Sequence, residues 1–378
     1  MRILIAGGGT GGHLFPGLAL AEEVKTRHPR NEVLFVGTAR GMEAKAVPKA
    51  GYALELIGVG PLKGQGLLGL LKGLARIPGA LWQSRKILRQ FDPDMVVGVG
   101  GYASGPMVLA AFLMGVPRAI QEQNALPGFT NKILGRIAQA VFISFDEARP
   151  FFAPKKVHLL GNPIRRAFLD NYLHEKIPDA KLSLFITGGS QGAHGLNLRV
   201  TEAVEALAPA LGAGLRVVHQ TGVKDAEEVQ KRYAVLASTG ADLVATAFID
   251  DMAKAYGEAD LLVCRAGATT IAELTVCKKP AILVPFPFAA DDHQTVNASS
   301  LVKAGAAICI QEKNLSGAQL AKEIRALADD REQLKRMSRQ SGLFGRPEAA
   351  REIADVCVEL CSERIFAEGR NLPPEKKR

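Results

Sequence analysis

Cysteine is scarce in this sequence. The 378 residues contain five, Cys264, Cys277, Cys309, Cys357 and Cys361, all in the second half and with no C-x-x-C among them. An odd, sparse thiol set in a chain of this size excludes a disulfide framework and points to a reducing compartment. Cys357 and Cys361 stand one helical turn apart, but no histidine pattern accompanies them, so core or surface thiols are expected rather than a metal site. Aromatic residues make up only 6%. With no RNP, helix-turn-helix or zinc motif, a nucleic-acid-binding module is disfavoured. Long apolar runs are also missing. The uncharged stretch 95–117 is interrupted by Gly98, Gly100, Gly101, Gly105 and Pro106. It reads as strand 95–99, a glycine loop and a buried helix 107–114, each piece shorter than the ~20 residues a bilayer span needs. The opening run Ile3-Leu4-Ile5-Ala6 is too short for the ~7-residue core of an export signal, so none is expected.

Glycine, by contrast, is abundant: 39 of 378 residues, against a usual ~7%. The 20 prolines follow no G-X-Y period, so the glycines belong in loops that need them. The net charge of +9 is unevenly placed. Residues 1–163 hold 19 Lys+Arg and 10 Asp+Glu, whereas residues 164–378 hold 28 of each sign. One half therefore carries all the excess, as expected where a face meets nucleic acid, a phosphorylated ligand or an anionic membrane.

Apolar strands alternate with helical stretches throughout. Strands are expected at 3–6, 32–36, 94–99, 117–121 and 140–144, and again at 182–187, 216–220, 243–247, 261–264 and 281–285. Helix is expected over 15–25. This α/β alternation implies parallel sheets covered on both faces. The halves open alike, with Ile-Leu-Ile-Ala-Gly-Gly-Gly-Thr-Gly-Gly-His (3–13) and Leu-Phe-Ile-Thr-Gly-Gly-Ser-Gln-Gly-Ala-His (184–194). Two Rossmann-like, doubly wound domains, 1–163 and 164–344, are the simplest reading, split near Gly161-Asn162-Pro163. A C-terminal helix at 345–368 is expected to complete the first, and 369–378 to form a disordered tail.

Gly7-Gly8-Gly9-Thr10-Gly11-Gly12 fits G-x-G-x-x-G between a strand and a helix. Lacking Cβ atoms, such a loop lets backbone approach a phosphate at a helix N-terminus. A dinucleotide enzyme would add an acid after the second strand. That strand ends Gly37-Thr38-Ala39-Arg40, without one. Further glycine loops follow at 98–106 and 188–193, and open α/β sheets bind ligands at the carboxyl ends of such strands. In Arg265-Ala-Gly-Ala-Thr-Thr-Ile-Ala-Glu273, Thr270-x-x-Glu273 is either a capping box or leaves Glu273 to accept two ribose hydroxyls. In the polar run 291–297, capping explains Asp291 or Asp292 but not the amides Gln294 and Asn297.

Seven ordered segments, 8–13, 100–106, 122–124, 161–165, 188–193, 248–252 and 265–273, together resemble the MurG family, bacterial N-acetylglucosaminyltransferases of peptidoglycan synthesis, over roughly residues 3 to 350. The resemblance implies a GT-B fold, two Rossmann-like domains facing across a cleft. It implies inverting transfer of N-acetylglucosamine from UDP-N-acetylglucosamine to the 4-hydroxyl of the muramoyl sugar in lipid I, its undecaprenyl-diphosphate-linked pentapeptide acceptor, giving lipid II. Matched positions place donor contacts on Thr10, Gly11, Gly12, Asn124, Arg165, Ser190, Ile249, Ala268, Thr269, Thr270, Glu273 and Gln294. The uracil falls near Ile249 and the ribose on Glu273. Some members carry Gln where this chain has His293, which leaves open whether His293 or Gln294 meets the donor sugar. Asn297 is grouped with them. A UDP-sugar epimerase of the same fold is the alternative within this class.

One-step inversion needs a base for the acceptor hydroxyl and stabilisation of the departing diphosphate. His13, at a helix start whose dipole favours neutral imidazole, is the expected base, with Glu122 second. Ser190, Gln191 and Arg265 are expected to meet the leaving group, and Gly101, Tyr102 and Ser104 the acceptor's diphosphate. No metal or other cofactor is expected, because Asp92-Pro93-Asp94 precedes a strand instead of following one. Leu67, Leu71 and Leu74 at helical spacing, with Lys72, Arg76 and Trp82, read as an interfacial anchor on anionic lipid. The expected location is the cytoplasmic face of the inner membrane, beside other cell-wall synthesis proteins.

Overall fold

The computed structural model describes residues 1–60, 66–169, 181–189 and 192–367, without the side chains of 66–76, 290 and 363–367. The tail 369–378 lies outside the described residues. Two compact units form: Met1–Arg165 with the segment from Glu348 onward, and Arg166–Pro347.

The first unit carries seven strands: β1 (Arg2–Gly7), β2 (Glu32–Gly37), β3 (Ala53–Leu56), β4 (Met95–Gly100), β5 (Arg118–Glu122), β6 (Ala140–Ile143) and β7 (Val157–Leu159). Their order is β3-β2-β1-β4-β5-β6-β7, and every neighbouring pair is parallel. Helices on both faces explain why the central strands are apolar runs: β4, Met-Val-Val-Gly-Val-Gly, is buried at every position. The second unit carries β8 (Leu182–Thr187), β9 (Leu215–Gln220), β10 (Asp242–Thr246), β11 (Leu261–Cys264), β12 (Ala281–Leu283) and β13 (Ala307–Cys309), in the order β10-β9-β8-β11-β12-β13.

The windings correspond. In each, three strands progress outward and the fourth returns beside the first, so successive loops diverge at one switch point, β1/β4 or β8/β11. There a doubly wound sheet opens a ligand crevice at its carboxyl edge. The glycine loops after β1, β4 and β8 and the segment Arg265–Gly267 after β11 fall at these points.

Strands β3, β7 and β13 were not expected. Each has three or four residues and lies at a sheet edge, where burial imposes little apolar pattern. The C-terminal helix, Ala349–Ala367, buries Ile353, Ala354, Cys357 and Cys361 among Ile3, Ile5, Val97 and Phe142. It is latched to helix Gly11–Arg27 by Arg27, which reaches Asp355 at 2.7 Å and the Arg351 carbonyl at 2.6 Å. Burial pushes the Cys264 thiol up to about 12, and four of the five cysteines are core residues.

Candidate active site

At the β1/β4 switch point the two glycine loops pack backbone to backbone. Gly8 N–H donates to the Gly100 carbonyl at 3.2 Å. Gly101 has φ +79°, and a Cβ there would collide with the Gly8 carbonyl, so only glycine fits. The His13 imidazole lies on Gly100, where a Cβ would come within 2.6 Å of its Cδ2. His13 is half-buried in the first turn of helix Gly11–Arg27, with Nδ1 3.4 Å from the Thr10 hydroxyl. Thr10 is exposed and makes no side-chain cap, and Gly12 is exposed beside it. Arg165, at the end of the unit, stacks on Phe15 of the same helix at 5.1 Å, which brings it to the loop bearing Thr10, Gly11 and Gly12.

The sequence contains an acid here that the local reading missed. Glu43, 1% exposed, accepts from Gly9 N–H at 2.7 Å, Thr38 N–H at 2.8 Å and the Thr38 hydroxyl at 2.9 Å. Its carboxylate sits against Gly8, Gly37 and Gly41, where a Cβ would strike it. It braces the first loop; six positions beyond β2, nothing in its neighbours announces that.

Glu122 proves to be another brace. It is 2% exposed at the end of β5. Oε1 accepts from Asn124 N–H at 2.9 Å, and Oε2 from Gly128 N–H at 3.1 Å and Asn131 Nδ2 at 2.9 Å. Burial raises its carboxyl above the ordinary range, against the pull of these donors. With both oxygens occupied in holding the 122–131 loop, Glu122 is not placed as a base for an external hydroxyl. Each buried donor left without an acceptor costs about 1–3 kcal/mol. Glu122→Ala is therefore expected to destabilise the protein by about 3 kcal/mol in urea unfolding, while the folded fraction keeps turning over.

In the second loop Gly101 and the 48% exposed Tyr102 are accessible. Ser104 is not: it is fully buried, its hydroxyl turned onto Gly98. The expectation that it meets a diphosphate is corrected.

In the second unit, Ser190 and Gln191 lie outside the described residues. Ile249 N–H donates to Gln220 Oε1 at 3.0 Å, and Gln220 Nε2 reaches Thr187 and the Gly189 carbonyl, both at 3.2 Å. Gln220, a buried amide at the end of β9, thus ties Ile249 to the third glycine loop; it too went unread. Arg265 is 8% exposed and committed to the Val284 and Pro285 carbonyls, both at 3.2 Å, and to Glu312 at 2.5 Å. Asn297, fully buried, donates to the Ala266 carbonyl at 3.3 Å. In this structure both side chains hold neighbouring loop segments in place. Gln294 is half-buried, with Oε1 accepting from Phe286 N–H at 2.9 Å; His293 is half-buried beside it. Asp291 and Asp292 precede them with φ of +54° and +51°, and no side-chain cap from Asp292 is formed, against the capping expected of this pair.

The structure removes one of the two readings of Glu273, the capping box. The helix begins at Ala268, with Gly267 as N-cap, so Thr270 is inside it and no capping box exists. Ala268 is buried in the first turn, with Thr269 and Thr270 half-buried. Glu273 is 6% exposed, and the fully buried Tyr256 hydroxyl donates to it. Burial first, then the Glu273 charge, holds that phenol well above its usual range.

Asp94 immediately precedes β4, at the end of the sheet opposite the glycine loops, and its Oδ2 accepts from Arg2 N–H at 2.6 Å. Among the described residues no group of His, Cys, Asp and Glu is arranged to hold a metal, and no helix is long and apolar enough to cross a membrane. Leu67, Leu71, Lys72, Leu74 and Arg76 belong to helix Gly66–Phe91, but their side chains lie outside the described residues. Trp82 on that helix is 66% exposed. Nearby elements add exposed Phe112, Leu113, Phe129, Ile133 and Phe151, which the sequence reading missed. Arg118 stacks on Phe112 at 4.8 Å and Lys132 on Phe151 at 4.4 Å.

Residues 3–143 match the glycosyltransferase family 28 N-terminal domain, and residues 183–353 the family 28 C-terminal domain. A Myxococcus xanthus protein named UDP-N-acetylglucosamine–N-acetylmuramyl-(pentapeptide) pyrophosphoryl-undecaprenol N-acetylglucosamine transferase is 59% identical, covering 100% of this chain and 98% of its own. The crystal structure of Acinetobacter baumannii MurG is similar at a TM-score of 0.75 and 32% identity, over 95% of this chain and 99% of that one. A Neisseria meningitidis UDP-GlcNAc 2-epimerase bound to UDP-GlcNAc reaches a TM-score of 0.65 at 14% identity, over 95% of this chain and 100% of that one, a likeness of fold alone.

Proposed function

This chain belongs to the MurG family of glycosyltransferase family 28, and we propose that it transfers N-acetylglucosamine from UDP-N-acetylglucosamine to the 4-hydroxyl of the muramoyl sugar of undecaprenyl-diphosphate-linked lipid I, giving lipid II. The observation that carries this is 59% identity, over the whole chain, to a relative named for that transfer. The glycine loops at both switch points suit a reaction whose substrates are both diphosphates. In this reading His13 takes the proton of the acceptor 4-hydroxyl as its oxygen bonds the anomeric carbon. The bond from that carbon to the diphosphate breaks on the opposite face, and UDP departs with the electron pair. Glu273 holds the ribose, and the loop backbone around Gly189 and Gly192 faces the diphosphate.

The test is a panel of UDP-sugars with a short-chain lipid I analogue, scored for UDP release in excess chelator. Release is expected with UDP-N-acetylglucosamine alone, and only with acceptor present. Acceptor-independent conversion of the donor would favour the epimerase reading instead.

The exposed Trp82, Phe112, Phe129 and Phe151, set among Arg118 and Lys132, support peripheral attachment of the first unit to an anionic leaflet. Each basic residue near such a surface contributes about 1 kcal/mol, weakened by salt. Vesicle sedimentation is expected to show binding to anionic lipid that falls steeply with added salt; equal binding to neutral vesicles at high salt would remove the charge component.

A further inference from the structure

The first glycine loop turns two of its amides inward. Gly8 N–H donates to the Gly100 carbonyl at 3.2 Å, and Gly9 N–H to Glu43 Oε2 at 2.7 Å. What the loop presents outward therefore begins at Thr10. Gly9 has φ +92°, and a Cβ built there would meet nothing within 4 Å. Side-chain packing does not fix this residue; its bond to Glu43 does. From Gly9 the path to His13 is short. The Thr10 carbonyl accepts from His13 N–H at 3.2 Å and from Leu14 N–H at 3.1 Å, and the Thr10 hydroxyl lies 3.4 Å from His13 Nδ1. A displacement of Gly9 is thus passed to Thr10 and to the first turn of helix Gly11–Arg27, and with them to the imidazole.

Glu43 is built as the fixed end of this path. It opens the short helix Glu43–Lys49. Its other oxygen, Oε1, accepts from Thr38 N–H at 2.8 Å and from the Thr38 hydroxyl at 2.9 Å. These three donors offset the burial of the carboxylate, and bonds to a charged acceptor are shorter and stronger than those an amide would make. At 1% exposure Glu43 cannot itself touch a substrate. Any part it has in the reaction must pass through the loop that it holds.

We propose that Glu43 is a positioning residue for the transfer and acts through His13: by fixing Gly9 it sets the place of the imidazole that takes the acceptor proton. This rests on the reading of His13 as the base. It gives a buried acid outside the sequence-based contact set a share in the rate as well as in the fold.

The test is a double-mutant cycle on kcat, with saturating UDP-N-acetylglucosamine and short-chain lipid I analogue, each rate referred to the folded fraction taken from a melting curve. Glu43→Gln keeps the volume but replaces one acceptor oxygen with an NH₂, so Gly9 N–H and Thr38 N–H can no longer each have an oxygen of their own. A misplacement of about 1 Å can cost about 10²-fold in rate, and kcat is expected to fall by about 10–10²-fold. In a His13→Ala background the same substitution is expected to change kcat by less than about twofold, because the group it positions is gone. A brace serving the fold alone would give the same effect in both backgrounds. Gly41→Ala is the second variant, and it keeps the cycle decisive if Glu43→Gln does not fold. Gly41 is not in the left-handed region, and its new Cβ would strike the Glu43 carboxylate and push it off Gly9 without changing its chemistry. The same loss is expected, with the same dependence on His13. An unchanged kcat in these variants, or a loss of equal size with His13 absent, overturns the proposal. A near-normal kcat in His13→Ala alone would instead overturn the base assignment on which it stands.

Discussion

Replacing His13 with alanine is expected to lower kcat by about 10²–10⁴-fold, the usual cost of losing a positioned general base, while the KM for UDP-N-acetylglucosamine changes little. The side chain lies on Gly100, at the meeting of the two loops of the first unit, with the Thr10 hydroxyl 3.4 Å from Nδ1. The loops that carry it are backbone-locked, by Gly8 to Gly100 on one side and by the Glu43 brace on the other. Removing the imidazole should therefore leave the loop in place, and the loss should fall on kcat. The acid limb of the rate profile should disappear with it, since that limb records protonation of the base. Steady-state kinetics over pH decide the matter. A His13→Ala enzyme with near-normal kcat would rule the assignment out. Because both Glu122 oxygens are committed to the 122–131 loop, Glu122 offers no ready substitute.

Glu273→Gln is expected to raise the donor KM by about 10–10²-fold with kcat altered only modestly. A buried carboxylate can accept both ribose hydroxyls, and a hydrogen bond to a charged group contributes about 1.5–3 kcal/mol. Glutamine keeps the volume and one acceptor, so the buried Tyr256 hydroxyl retains a partner and the helix is preserved. Its NH₂ cannot accept the second hydroxyl. The expected signature is a donor-specific KM defect in an enzyme with an unchanged melting temperature. A 2′-deoxyribose donor should lose its disadvantage on the variant. If the variant and the parent discriminate equally against that donor, Glu273 does not hold the ribose.

The first glycine loop was legible because its signal is local. An apolar strand, a cluster of glycines and a helix start follow one another within a dozen residues, and no distant segment is needed to recognise them. The same holds for the loops after β4 and β8. Residue type was a poorer guide to what each polar side chain does. Ser104, Arg265 and Asn297 have the chemistry of phosphate or sugar ligands, yet the fold turns them inward onto Gly98, the 284–285 carbonyls and Ala266. Glu43, Gln220 and Tyr256 were passed over for the converse reason. Each is an ordinary residue in its own neighbourhood and becomes informative only beside partners such as Gly9, Ile249 and Glu273. Thr270-x-x-Glu273 stayed open between two readings for want of one fact, the register at which the helix begins.

The sequence by itself determined the two doubly wound sheets, the positions of their glycine loops and the family, because strand and helix periods and glycine spacing are properties of neighbouring residues. The C-terminal helix was expected on the first unit, but the contacts that fix it there were decided only in three dimensions, by Arg27 meeting Asp355 and by Cys357 and Cys361 filling a core built from β1, β4 and β6. The same is true of the excess glycine and of the polar residues around it. Glycine spacing marks where backbone approaches closely, but burial and hydrogen-bond partners come from segments far apart in the chain. They alone separate the side chains that brace the loops from those left to meet a ligand.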